Sequence, residues 1–136
     1  MKMLKKAASI ALASALVFSL AACGSKDGGD SGSSSSGGDV FMIGGIGPTT
    51  GDNAIYGNAV KNGVQLAVDE INADGGINGY QIEYKFEDDQ SDSEKAVNAY
   101  NTLKDWGMQM LIGTVTSTPC TAVVEESHAD NMFQLT

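Results

Sequence analysis

The 136-residue sequence contains no arginine. That removes the planar, bidentate side chain best suited to gripping phosphate or carboxylate, so any anion bound here is held by backbone N–H groups, hydroxyls or lysine. One histidine and two cysteines are too few for the usual transition-metal sites, which draw three or four ligands mostly from these residues. Positive charge is scarce altogether: eight lysines stand against seventeen acidic residues, a formal net charge of −9. A surface this acidic does not seek nucleic acid or anionic lipid. Long hydrophobic runs are missing too. The charge-free stretch over residues 7–20 is shorter than the roughly 20 residues a membrane-spanning helix needs.

What is present begins with that stretch. Lys2, Lys5 and Lys6 precede it and Leu20-Ala21-Ala22-Cys23 closes it, which is the layout of a secretory signal: a positive start, an apolar middle and small residues for a peptidase. A cysteine directly after the small pair is placed for diacylglyceryl transfer to its sulfur. Residues 1–22 are therefore expected to be a lipoprotein signal peptide, with Cys23 the lipidation site. Two acyl chains, at about 0.8 kcal/mol per buried methylene, give a stable anchor where one gives a marginal one. Residues 23–39 follow as a glycine- and serine-rich tether, with no apolar side chain between 24 and 38 to join a core. The expected location is the extracellular face of the cell membrane, held by lipid, or the periplasm in a Gram-negative cell. With Cys23 committed to lipid, Cys120 has no partner for an intrachain disulfide.

Residues 40–136 alternate between two periodicities. Val40-Phe41-Met42-Ile43 reads as a buried strand that opens into a glycine-rich loop from Gly44 to Gly57. Val60, Val64, Ala67, Val68 and Ile71 share one helical face, and Gly75-Gly76 supplies the left-handed stop. From Tyr80 to Phe86, Ile82, Tyr84 and Phe86 alternate with polar residues as in a strand, and Asp88-Asp89-Gln90 turns the chain. Ser91 and Glu94 have the spacing of a capping box, the serine hydroxyl bonding forward and the glutamate reaching back. The helix that follows has Ala96, Val97, Tyr100 and Leu103 as its inner stripe and Gly107 as its stop. Residues 108–112 form a third strand, Thr118-Pro119 an N-cap with proline at the first helical position, a third helix runs to about Asp130, and residues 132–135 form a fourth strand. Strands alternating with helices of this length predict an α/β fold, a parallel sheet with helices on both faces.

Ligands of such sheets sit at the carboxyl ends of the strands. Two segments are built for that place: the loop after the first strand, and Thr114-Val115-Thr116-Ser117-Thr118 after the third. Free N–H groups and the positive end of a helix dipole attract a carboxylate without arginine. Ser117 and Thr118 read equally well as plain capping residues. Cys120, one turn into the helix, is either a small buried hydrophobe or a thiol activated by the dipole. Gly45-Ile46-Gly47-Pro48-Thr49-Thr50 begins like a dinucleotide fingerprint but lacks the third glycine and has a proline in the loop. His128, beside Glu125 and Asp130, fits a solvated helix face better than a catalytic base. No enzyme and no cofactor is expected.

The run Gly51-Asp52-Asn53-Ala54-Ile55-Tyr56-Gly57, then residues 67–79 from Ala67-Val68-Asp69-Glu70 through Gly75-Gly76 to Gly79, then Asp88-Asp89-Gln90-Ser91-Asp92 and Lys95-Ala96-Val97, resembles the branched-chain amino acid type of extracellular solute-binding protein. The resemblance covers residues 40–136 in order and spacing. It implies a two-lobed periplasmic-binding-protein fold of type I, with this chain the N-terminal part of the first lobe and the second lobe absent. It also implies delivery of amino acids or related small solutes to the permease of an ABC importer. Ser117 matches the family serine whose hydroxyl and neighbouring N–H bind the α-carboxylate, Thr118 follows it, and Tyr56 matches an aromatic position bordering the ligand. The disulfide of some members would fall at Ser91 and Thr116, so it is absent. Family ligands include branched-chain amino acids, amides, urea and aromatic acids. A sensory or structural surface lipoprotein built on the same lobe is the alternative. Ending at Thr136, the chain is expected to be part of a longer protein.

Overall fold

The computed structural model describes residues 39–136; the signal peptide, Cys23 and most of the tether lie outside the described residues. Seven elements alternate: β1 (Val40–Gly47), α1 (Ala54–Ala73), β2 (Gln81–Asp88), α2 (Ser93–Trp106), β3 (Met110–Ile112), α3 (Ser117–Ala129) and β4 (Phe133–Leu135). The four strands make one parallel sheet in the order β2-β1-β3-β4. Each side of the sheet has its own core. On one, α2 and α3 pack Ala96, Ala99, Tyr100, Leu103 and Val123 against Ile46, Met108 and Leu111. On the other, α1 sets Val68 against Ile43 and Ile82, with Val64, Ile71 and Ile112 half-buried around them. Leu111 and Ile112 are neighbours that serve opposite faces, as the strand period of two requires. Burying each of the valine, leucine, isoleucine and methionine side chains among them stabilises the fold by about 1.5–3 kcal/mol.

The alternation and the parallel sheet agree with the sequence reading, as do the glycine stops. Gly107 sits at φ 101° and ends α2, where Met108 N–H donates to Leu103 O at 3.0 Å and Gly107 N–H to Lys104 O at 2.9 Å. These two bonds are a Schellman closure. The Tyr100 hydroxyl donates to Asp130 Oδ2 at 2.9 Å, and Lys104 Nζ pairs with the same oxygen at 2.5 Å, so α2 is tied to the end of α3. Lys104 first, then Tyr100, hold the Asp130 carboxyl below the usual carboxylate range.

The bounds of β2, β3 and β4 differ from those expected by one or two residues, and four further boundaries differ. The glycine-rich segment is not a loop from Gly44: β1 runs through to Gly47, fully paired with β2. The glycines there serve packing, since a Cβ on Gly45 would stand 2.5 Å from the Phe86 ring and the Tyr84 hydroxyl, and one on Gly44 2.6 Å from Met108 Sδ. Helix α1 correspondingly starts at Ala54, and because it packs on β1 and β2, Val68 is its buried aliphatic residue while Ala67 is exposed.

Ser91 does not cap α2. Gln90 and Ser91 both adopt left-handed backbone, φ 51° and 61°, which carries the chain one residue further before the helix begins. Asp92 caps it instead, accepting from Lys95 N–H at 2.9 Å. Thr118 is not an N-cap either. That position belongs to Thr116, so Pro119 is the third residue of α3 rather than the first. Its missing N–H still costs nothing, because the first amide to bond within the helix is Cys120, to Thr116 O at 3.0 Å.

Candidate functional site

Strand order places the site. From β1 the chain turns to one face of the sheet through α1, and from β3 to the other face through α3. β1 and β3 are neighbours, so the two connections diverge and leave a crevice between them at their carboxyl ends. Such a switch point is where open α/β sheets take ligands. The sequence located the strand ends but not this crevice, because strand order depends on pairings more than sixty residues apart.

The three candidate residues stand on the helices that follow β1 and β3, and none of them lines the concavity described below. Tyr56 stands in the first turn of α1 and is 61% exposed. Ser117 and Thr118 are the first two residues of α3, both exposed. Neither acts as the helix cap, and the Thr116 side chain at the cap position makes no capping bond. Its Oγ1 is buried without a partner. With proline third, the amides of Ser117 and Thr118 precede the first intrahelical bond, so they lie at the positive end of the helix dipole without an intrahelical partner. Ser117 O and Thr116 O are occupied from within, accepting the Thr121 and Thr114 hydroxyls at 3.0 and 3.3 Å.

Beside the start of α3 lies a concavity of about 410 Å³ lined by Val60, Ile112, Gly113, Thr114, Val115, Leu135 and Thr136. Four of these are aliphatic, and α1, β3 and β4 each contribute. Val115 belongs to the Thr114–Thr118 segment that the sequence places at the carboxyl end of the third strand, whereas Val60 falls on the apolar face of a helix and has no local signal for this role. A second hollow, of about 280 Å³, lies at the amino end of β1 and β2 among Phe41, Ile77, Asn78, Tyr80 and Ile82, far from the hydroxyl cluster.

Carboxylates at the end of β2 complete the surroundings. Asp88 Oδ1 accepts the amides of Thr49 and Gln90 at 2.8 and 3.0 Å, and Oδ2 the Thr50 hydroxyl at 2.6 Å. Desolvation alone would raise its pKa, but the Thr50 hydroxyl and the amides of Thr49, Gln90 and Thr50 together outweigh it and hold the carboxyl below its ordinary value. Asp89 is fully buried, with Oδ1 accepting Ser91 N–H at 2.8 Å and Oδ2 unpartnered. Burial pushes its pKa up, against the Ser91 bond and with help from the Asp88 and Asp92 charges. Among the described residues no three His, Cys, Asp or Glu side chains are grouped to hold a metal ion. Cys120 is half-buried with a free thiol, and His128 is exposed in the last turn of α3.

Residues 41–133 match the family model described as periplasmic binding protein. The Leu/Ile/Val-binding protein BraC3 of Rhizobium johnstonii is 45% identical over 77 residues, 57% of this chain and 21% of the relative. The leucine-, isoleucine-, valine-, threonine- and alanine-binding protein of Pseudomonas aeruginosa is 35% identical over 91 residues, 65% of this chain and 24% of the relative. Among solved structures, the branched-chain amino acid transporter substrate-binding protein LivJ of Streptococcus pneumoniae, in complex with isoleucine, superposes with a TM-score of 0.67 at 34% identity, covering 71% of this chain and 28% of that one. The chain thus spans about a fifth to a quarter of the length of the relatives it matches.

Proposed function

Because the chain belongs to the periplasmic binding protein family, we propose that it is a solute-binding protein which captures a branched-chain amino acid at the β1/β3 crevice and delivers it to the permease subunits of an ABC importer. Its work is binding without catalysis. The observation that carries this reading is the aliphatic concavity of Val60, Ile112, Val115 and Leu135 beside the unbonded start of α3. A small zwitterion with a branched side chain fits both halves. Its carboxylate meets the Ser117 hydroxyl and the Ser117 and Thr118 amides at the positive end of the dipole, where no arginine is required, and its alkyl group leaves water for the concavity. Tyr56 borders the ligand from α1. The names of the relatives, which bind leucine, isoleucine and valine, point the same way.

The same proposal includes the anchor. Residues 1–22 act as a signal peptide, Cys23 carries the lipid, and residues 23–39 tether the folded part, which spans 40–136 and contributes to the first lobe. Labelling cells with a fatty-acid analogue should tag the protein but not Cys23→Ala, and equal labelling of both would remove the anchor from the reading.

The crevice is tested by adding isoleucine to the isotopically labelled chain and following amide resonances. A ligand resting on one open wall is expected to bind at about millimolar Kd, roughly −4 kcal/mol, with shifts concentrated at Val115, Ser117 and Thr118. Ser117→Ala should weaken it by about 1.5–3 kcal/mol, the range for a hydrogen bond to a charged group. Shifts confined to the Phe41–Ile82 hollow, or none at all, would show that the site is misplaced.

A further inference from the structure

The β1–α1 loop, residues 48–53, has one fully buried side chain, Pro48. What fixes the rest is polar and comes from the end of β2. Asp88 takes the Thr49 amide on one oxygen and the Thr50 hydroxyl on the other, while its first oxygen also holds the Gln90 amide. A second link lies alongside, Asn53 Nδ2 donating to Ser91 Oγ at 3.0 Å. The loop in turn grips the start of α1: Asn58 Nδ2 donates to Thr49 O at 3.2 Å and to Ala54 O at 2.8 Å, and Gly57 packs directly on the Pro48 carbonyl. Tyr56 directly precedes Gly57 in this turn. A continuous set of bonds therefore runs from one carboxylate to the helical turn that borders the crevice.

We propose that Asp88 is a positioning residue for the solute site, setting where the first turn of α1 and Tyr56 stand against the start of α3. The proposal rests on reading that crevice as the solute site. Asp88 acts through Thr49 and Thr50 and does not touch the ligand. A carboxylate suits the task because it is acceptor-only, with two oxygens able to gather donors from two directions, and because hydrogen bonds to an ionised group are shorter and stronger than neutral ones. Two donors come from the loop and one from the turn after β2, so a single side chain aligns both.

Three variants test it in the full labelled chain: Asp88→Ala, Asp88→Asn and Thr50→Ala. The readouts are hydrogen exchange of the Thr49 amide, the ring resonances of Tyr56 and isoleucine titration, all at a temperature where each variant is folded. Asp88→Ala should speed Thr49 exchange by about tenfold or more, as loss of a bond to a charged group implies. It should also move the Tyr56 resonances and weaken isoleucine binding. Asp88→Asn should restore most of each, since its oxygen still accepts both amides and its Nδ2 donates to the Thr50 hydroxyl, which turns to accept, with bonds weaker than those to the charged group. A purely structural Asp88 would lower the unfolding midpoint and leave Tyr56 and the titration at wild-type values, and that result overturns the proposal, as does failure of Asp88→Asn to restore them. Should Asp88→Ala not fold, Thr50→Ala, altered at an exposed side chain, must give a smaller change in the same direction; no change there also overturns it. If the wild type shows no isoleucine shifts, the solute reading falls, and Thr49 exchange with the Tyr56 resonances still decides whether Asp88 places the turn.

Discussion

Helix α1 carries two glycines with opposite surroundings, and replacing each by alanine separates packing from propensity. Gly63 is exposed, and a Cβ there would meet nothing within 4 Å. Gly63→Ala should therefore stabilise the chain by about 0.8–1.0 kcal/mol, the full difference in helix propensity. Gly57 is buried, and a Cβ there would lie 1.8 Å from Pro48 O, 2.5 Å from its carbonyl carbon and 2.8 Å from its nitrogen. All three are backbone atoms, so no side chain can swing aside, and α1 or the end of β1 must retreat by roughly 1 Å in an interior packed as densely as a crystal. Overpacking of this kind costs about 1–3 kcal/mol and sometimes more. Backbone contact puts it at the upper end, so Gly57→Ala should be net destabilising by about 1–2 kcal/mol after the propensity gain is counted. The two variants should thus differ by about 2–3 kcal/mol, which in urea separates their midpoints by roughly 1 M or more. If Gly57→Ala unfolds later than wild type, as Gly63→Ala should, then α1 does not press on Pro48 and the contact that orients its first turn is not there.

Capping offers a second contrast. Asp92→Ala should cost about 1 kcal/mol in denaturant unfolding, whereas Ser91→Ala loses only the bond its hydroxyl accepts from Asn53 and should cost less; the reverse order would return the cap to Ser91. Asp89 gives a dependence on pH. Its folded pKa is raised, so the native state holds the proton more tightly, and the stability this contributes is present in acid and lost as pH rises from the unfolded value near 3.8 through the folded one. Asp89→Asn, which keeps an acceptor for Ser91 N–H and has no charge to bury, should gain on the wild type over that window and then hold a constant advantage, as read from melting temperatures across the pH range; an advantage that shrinks with rising pH would contradict the burial.

The β/α alternation was legible because it rests on local periodicity: Tyr100 and Leu103 on one helical face, Ile82 and Tyr84 on one side of a strand. Glycine misled where its use was long-range. Gly44 and Gly45 look like a loop in sequence, yet they are bare so that Met108, Tyr84 and Phe86 can close over the strand, and none of those residues is a sequence neighbour. Cap positions slipped for another reason. Gln90 and Ser91 enter left-handed backbone that neither residue type announces, which moved the cap of α2 from Ser91 to Asp92. Of the candidate site, the sequence placed Ser117, Thr118 and Val115 after the third strand and Tyr56 after the first, while the grouping of Val60, Val115 and Leu135 into one concavity was not legible, because it depends on the order of the strands. Asp88 was read as part of a turn, and its bonds to Thr49 and Thr50 reach 39 and 38 residues back along the chain.

Strand β1 lies inside the sheet, between β2 and β3, and that position has a consequence for synthesis. The strand is made first, but Met42 meets Gln109 only after a further 67 residues. At about 5–20 residues per second, the ribosome needs roughly 3 to 13 s to make that interval. Throughout it, the apolar Phe41, Met42 and Ile43 have one flank without a partner, and loop closure over so long a span is slow in itself. Of the two inner strands of the described sheet, β1 waits the longer for its second partner, so nascent β1 stays open during that interval to capture by a holding chaperone or by a second copy of itself.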